Sequence, residues 1–198
     1  EMQRSLVGSE MCIRDSSDTD IKIRLMTDAD HEKMSAFSCG VKELDDFFRY
    51  EVRECVERKY LSAYCAYTES DGIVAAFTLM NDAIMIPSEN EKEDFFDDLR
   101  LEEDSAAVDF FKRQSSYPAI NIGHLGTSVE FQGKGIGMTI IEFVAGTFSQ
   151  YKQAGCQFIT VDALNNERTI RFYLNNLFIF QTNRDFCSQT RRMYRILQ

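Results

Sequence analysis

Apolar and polar residues alternate along Ile21-Lys22-Ile23-Arg24-Leu25, a period of two that predicts a strand with one buried face. Thr27-Asp28-Ala29-Asp30 follows as a turn of helix-capping residues. Ser38-Cys39-Gly40 reads as a second helix entrance, because Leu44, Phe47, Phe48, Val52 and Cys55 then recur at helical spacing. Two strand-like runs, 62–68 and 73–80, flank Glu69-Ser70-Asp71-Gly72, and the Asp-Gly pair predicts a β-hairpin turn. From residue 119 the pattern gives a strand to 129, a glycine-rich loop, a helix over 138–151 and a strand over 157–162. A helix over 167–175 and strands over 178–182 and 191–197 complete it. This order predicts a mixed α/β fold: a central six- to seven-stranded sheet flanked by helices, with a parallel pair at its centre.

Two stretches fall outside that pattern. Between Glu89 and Asp109 there are ten acidic and two basic residues, yet the run also carries Phe95, Phe96, Leu99, Leu101 and Val108. Disordered segments lack this many large apolar side chains, so 88–116 is read as an acidic helical insertion of one or two amphipathic helices. Residues 1–17 show no clear period and are too short and wrongly flanked for a signal peptide. They are set aside as a non-native or disordered extension, which leaves 18–198 as a single domain.

Composition narrows the classes. An apolar fraction of 44% with sixteen Phe and eight Tyr fills a core without any Trp. No apolar stretch approaches the length of a membrane span, so no membrane association is expected. The six cysteines are scattered, with no C-x-x-C pair, and His31 and His124 are the only histidines, so no metal site is expected. Free thiols in a reducing cytoplasm are the expected state. The net charge of −10 argues against a broad nucleic-acid footprint and suits a cationic acceptor.

The candidate chemistry lies in Gln132-Gly133-Lys134-Gly135-Ile136-Gly137, between the strand ending at 129 and the helix beginning at 138. A strand that turns through glycines into a helix presents backbone N–H groups at a positive helix end, which is how phosphates are bound. A nucleoside-triphosphate loop needs Gly-Lys followed by Ser or Thr, and here Lys134 precedes Gly135 and Gly137. A dinucleotide fingerprint needs G-x-G-x-x-G at the head of a doubly wound sheet, and too little chain follows Gly137 for one. The third pattern is (Gln or Arg)-x-x-Gly-x-(Gly or Ala), met in order by Gln132, Gly135 and Gly137.

That third pattern resembles the acyl-CoA loop of the GNAT acetyltransferases. A second stretch resembles the family's next signature: Asn166, then Ile170, Phe172 and Tyr173 on a short helix, then Phe178. Thr169 stands where the family has Ala and Leu177 where it has Gly, so Asn175-Asn176 is expected to supply the left-handed residue. The run from Phe37 to Asp45 resembles the GNAT subgroup found in toxin–antitoxin pairs. The resemblance implies a GNAT fold and acetyl-CoA as the acyl donor. It implies that the backbone from Gln132 to Gly137, with Gly133, Lys134, Gly135 and Ile136, takes the pyrophosphate. Leu125, Gly126 and Thr127 would pair with the pantetheine arm, Gly123 and Gly126 being bulge sites, and Asn166 would contact the same arm. Tyr173 would be the catalytic acid toward the departing thiolate; without the resemblance it reads as a core aromatic. No general base is assigned, with Glu130 and His124 nearest in sequence.

An N-acetyltransferase acting on a primary amine of a small molecule or peptide is the function expected. A toxin-type enzyme acetylating aminoacyl-tRNA and a non-catalytic acyl-CoA-binding domain stand as alternatives. Under the tRNA alternative, Arg49, Arg53, Arg58, Lys59, Arg184, Arg191, Arg192 and Arg195 are the candidate basic patch. An amine-bearing acceptor is the expected partner, and a homodimer is a possible assembly.

Overall fold

A computed structural model of the protein describes residues 11–14, 20–86, 92, 95, 109 and 111–197. The chain divides into two compact units: Glu1–Met80 with Ile122–Phe143, and Asn81–Asn121 with Val144–Gln198.

In the first unit, β1 (Met11–Arg14), β2 (Asp20–Leu25), β3 (Ser62–Thr68) and the start of β4 (Gly72–Met85) follow one another. They form an antiparallel ladder with Met11 opposite Ile23, Ile23 opposite Ala66, and Cys65 opposite Ala76. The alternation in β2 puts Ile21 and Ile23 inside, as its period requires. Gly72 closes the β3–β4 turn at φ +77, a conformation that costs a side chain but not a glycine. The Thr68 hydroxyl takes the Asp71 N–H at 2.9 Å and fixes the turn's side chains.

Between β2 and β3 the chain is helical: α1 (Asp28–Lys33), a 3₁₀ turn, α2 (Lys42–Asp46), a π turn (Phe47–Glu51) and α3 (Val52–Glu57). The Val52 N–H reaches back five residues to the Phe47 carbonyl. Phe47, Phe48 and Val52 can therefore all enter one cluster with Met34, Phe37, Cys39, Ala63 and Ala76. Asp30 reaches back to cap the entrance of α1: its carboxylate accepts the Thr27 N–H and hydroxyl, at 2.8 and 2.7 Å. The Arg24 guanidinium forks onto the same carboxylate. Burial of Asp30 opposes its charge, but Arg24 and Thr27 outweigh it and hold the carboxyl far below its usual range.

The second unit contains the end of β4, the first part of β5 (Ser116–Thr127), β6 (Phe158–Leu164), α5 (Glu167–Asn175), β7 (Ile179–Phe180) and β8 (Thr190–Ile196). β5 and β6 run parallel, with Ala119 opposite Phe158 and Asn121 opposite Thr160. β6–β8 and β7–β8 are antiparallel, so the sheet is mixed as expected. Its core joins Ile84, Ile86, Phe95, Tyr117, Ala119, Phe158 and Tyr194, with Phe111 against them. Phe95 and Phe111 belong to the expected acidic insertion and pack into this core. Within the insertion, residues 88–91, 93, 94, 96–108 and 110 lie outside the described residues. β4, β5 and α4 (Ile136–Ser149) each pass from one unit into the other. Among the described residues no helix is long and apolar enough to cross a membrane.

The mixed sheet flanked by helices is the one expected, and among the described residues β1 adds an edge strand beside β2. One expectation changes. Asn175-Asn176 do not supply the left-handed residue after α5. Asn176 has φ −102, and Leu177 itself takes φ +65.

Candidate functional site

The glycine loop occupies the position the sequence predicts, in the first unit, between the end of β5 and the start of α4. A 3₁₀ turn (Val129–Phe131) leads into it. Gly133 and Gly135 have φ +75 and +83, with Lys134 between them at an ordinary angle. Alternation of left- and right-handed residues turns successive N–H groups toward one side, forming a nest for an anion. Among the described residues no acceptor is hydrogen-bonded to the N–H groups from Gly133 to Gly137. The first turn of α4 carries no acidic side chain to compete for them. A Cβ placed on Gly133 or Gly135 meets nothing within 4 Å. The glycines are therefore required by backbone conformation, and the space before them is open. These features fit a pyrophosphate.

The Gln132 side-chain amide donates to the Cys39 carbonyl at 2.7 Å and to the Thr127 carbonyl at 3.1 Å, so it ties the loop to the protein, and its backbone N–H donates to the Val129 carbonyl at 3.4 Å. A Cβ on Gly126 would lie 3.2 Å from Cys39 Cβ and 3.3 Å from Leu44 Cδ2, tighter than side chains normally approach. The 38–44 segment therefore packs onto the last residues of β5 because position 126 is a glycine. Gly123 is exposed, and Leu125 and Thr127 are half-buried on the same strand. The Lys134 ammonium stands 4.5 Å over the Phe131 ring, exposed at the lip of the nest.

The contact between 38–44 and the loop was not predicted. The Val129 N–H donates to the Ser38 carbonyl at 3.0 Å, beside the Gln132–Cys39 bond. Asp45 accepts the Ser38 hydroxyl at 2.6 Å and the Cys39 N–H at 2.7 Å. Gly40 at φ +81 turns the chain between these residues and α2. The signal for this arrangement was present in the Phe37-to-Asp45 run, but spacing alone does not say what that run touches.

His124 reads as structural. Its ring stacks on Phe47 with centroids 3.5 Å apart, and Nδ1 lies 3.0 Å from the Thr78 hydroxyl. Burial pushes its pKa down to about 4. An imidazole that weakly basic is poorly matched to an alkyl ammonium. Glu130 is exposed on the 3₁₀ turn.

In the second unit, Asn166 is the N-cap of α5, and its Oδ1 accepts the Thr169 N–H at 2.9 Å. Tyr173 is 8% exposed on the same helix, with its ring 5.2 Å from Phe178. Burial pushes its phenol well above the ordinary range, so it stays protonated at any physiological pH. Among the described residues nothing hydrogen-bonds its hydroxyl. The phenol is neutral and its proton uncommitted, while the raised pKa makes it a weaker proton donor than an ordinary tyrosine.

Four of the eight candidate basic residues are seen in ion pairs. Arg53 pairs with Glu57 and Asp28, and Arg58 with Glu54. Arg191 pairs with Asp185, and Arg192 with Asp82 and Asp162. Arg49 donates to the Phe37 carbonyl at 2.7 Å.

No family model matches the chain, and no curated protein matches it. Solved structures do. A tyrosine-to-phenylalanine variant of KacT superposes with a TM-score of 0.68 at 18% identity, covering 89% of this chain and 95% of that one. A tyrosine-to-phenylalanine variant of the AtaT toxin, bound to the C-terminus of the antitoxin AtaR and acetyl-CoA, gives 0.66 at 19%, covering 89% and 93%. AtaT complexed with acetyl-methionyl-tRNAfMet gives 0.64 at 20%, covering 87% and 94%. At these identities the likeness establishes the fold, and it is the one the sequence resemblance implied.

Proposed function

We propose that this chain is an acetyl-CoA-dependent N-acetyltransferase that acts on a primary amine by direct attack in a ternary complex. The observation that carries the reading is the nest of free N–H groups from Gly133 to Gly137 at the head of α4. Two further features support it: the GNAT-like fold, and acetyl-CoA in the AtaT structure that this chain resembles.

Acetyl-CoA supplies an activated acyl group, and the rest is the work of this chain's residues. The N–H groups of Gly133, Lys134, Gly135, Ile136 and Gly137 would hold the pyrophosphate, with Lys134 adding charge at the lip. The backbone of Leu125, Gly126 and Thr127 would pair with the pantetheine arm and keep the thioester in line. Gln132 keeps the nest in register through Cys39 and Thr127. The family resemblance assigns Tyr173 the proton that would go to the departing sulfur, since a thiolate of pKa about 8.5 would otherwise attack back. The attacking amine must arrive neutral, having lost the proton of an ammonium with pKa about 10. Neither His124 nor any other residue is assigned that task.

The amine has two sources to distinguish. The resemblance to AtaT complexed with acetyl-methionyl-tRNAfMet, together with the Phe37-to-Asp45 run, favours an α-amino group carried on tRNA. The net charge of −10 and the local pairing of Arg53, Arg58, Arg191 and Arg192 favour a small amine or peptide. Thiol release from acetyl-CoA with purified protein separates them, using a panel of amines and peptides in one arm and charged tRNA in the other. Turnover on free amines supports the small-acceptor reading, and turnover confined to charged tRNA supports the second. Acetyl-CoA binding without turnover in either arm reduces the protein to an acyl-CoA-binding domain.

A further inference from the structure

We propose that Asp45 is a positioning residue for the phosphate-binding loop, acting through Ser38, Cys39 and Gln132. The proposal rests on the acetyl-CoA reading above for its functional consequence and on geometry alone for its structural part.

The geometry is a chain of hydrogen bonds within the first unit. Asp45 is 6% exposed at the start of α2. One carboxylate oxygen accepts the Cys39 N–H at 2.7 Å and the other accepts the Ser38 hydroxyl at 2.6 Å. That grip fixes the peptide groups on either side of Cys39. Their carbonyls then face the loop: Ser38 O accepts the Val129 N–H at 3.0 Å, and Cys39 O accepts the Gln132 amide at 2.7 Å. Gln132 is the residue immediately before the nest. Its second bond, to Thr127 O, reaches the strand end expected to carry the pantetheine arm. One carboxylate is thus linked, through Val129 and Gln132, to the chain that enters the nest.

Three further observations agree. Gly126 lets the 38–44 segment approach the strand, since a Cβ would meet Cys39 and Leu44 at 3.2–3.3 Å. Gly40 at φ +81 lets the chain double back so that Asp45 can reach residues six and seven positions earlier. Burial opposes the Asp45 charge, but the Ser38 and Cys39 donors outweigh it and hold the carboxyl below its usual range. Hydrogen bonds to an ionised, buried acceptor are the strong kind, and removing the acceptor leaves the buried Cys39 N–H and the half-buried Ser38 hydroxyl without this partner.

The test has a ligand-free arm and a ligand arm. In the first, amide hydrogen exchange of 133–139 is compared between wild type, Asp45→Ala and Ser38→Ala, with Asp46→Asn as control. Asp46 pairs with Lys42 on the surface and touches none of these groups. Faster exchange of about tenfold is expected for Asp45→Ala, less for Ser38→Ala and none for the control. In the second arm, acetyl-CoA Kd and KM are expected to rise about tenfold for Asp45→Ala, with kcat at saturating acetyl-CoA within about twofold. The double variant Asp45→Ala/Gln132→Ala should be barely worse than the poorer single variant, because both cut one linkage. Unchanged exchange at 133–139 in a folded variant, or fully additive losses in the double variant, overturns the proposal. If Asp45→Ala fails to fold, Ser38→Ala decides. If wild type binds no acetyl-CoA, that reading falls, and the exchange arm alone still decides whether Asp45 organises the loop.

Discussion

Gly133 and Gly135 occupy a region of backbone space that costs an L residue about 1–2 kcal/mol. Because a Cβ at either position meets open space, Gly135→Ala is expected to fold with a loss of about 1 kcal/mol by urea denaturation. Gly135→Glu adds a carboxylate at the mouth of an anion site, so acetyl-CoA affinity should fall by about a hundredfold or more. Titration calorimetry on both variants separates conformational strain from charge. Tyr173 offers a cleaner separation. Removing its hydroxyl deletes the proton donor and leaves the packing on Phe178 in place. Tyr173→Phe should lower kcat by about 10²–10³ while acetyl-CoA Kd stays within about twofold. A variant with unaltered kcat would return Tyr173 to the core-aromatic reading.

At the scale of elements, α5 ends unusually. The Phe178 N–H returns to the Tyr173 carbonyl at 3.1 Å and the Leu177 N–H to Leu174 at 3.2 Å, a Schellman pair with a leucine in the left-handed position. α3 ends likewise, with Lys59 at φ +60 and the Tyr60 N–H on Cys55. Leu177 is 70% exposed, so its side chain contributes little packing there. Leu177→Gly is expected to stabilise the protein by about 1 kcal/mol in urea denaturation, and a destabilised variant would show that the side chain matters. This turn also marks the limit of sequence reading. The preference of Asn for left-handed angles pointed to Asn175-Asn176, whereas the bonds that close the helix fix which residue must adopt them. The hairpin at Asp71-Gly72 and the helix capped by Asn166 were legible because their causes lie within four residues. β1 was not, being four residues long, and the π turn was not, because apolar spacings of four and five overlap in the Phe47-to-Val52 run. The role of Gly126 and the Gln132–Cys39 bond were illegible for another reason: their partners lie about ninety residues away in the chain.

For the whole molecule, the ionisable groups set how stability responds to pH. The unfolded chain protonates His124 near 6.5, but the folded protein resists until about 4. Between those values unfolding takes up a proton, so the stability linked to His124 is complete above pH 6.5 and declines as pH falls through the window. Asp30 and Asp45 are held below their ordinary range, so their contribution is complete above about pH 4 and is lost only in stronger acid. His124→Asn should therefore flatten the fall in urea midpoint between pH 7 and 4.5 without removing the steeper loss below pH 4. An unchanged slope in the variant would mean that His124 is not buried as described. The central claim is that the loop from Gln132 to Gly137 binds the phosphates of acetyl-CoA, and thermal shift tests it most directly. Acetyl-CoA, CoA and NAD are compared on wild type and on Gly135→Glu, each against its own unliganded Tm. The account predicts several degrees of stabilisation by acetyl-CoA and CoA, none by NAD, and loss of the effect in the variant. No stabilisation by either CoA species, or equal stabilisation in Gly135→Glu, would contradict it.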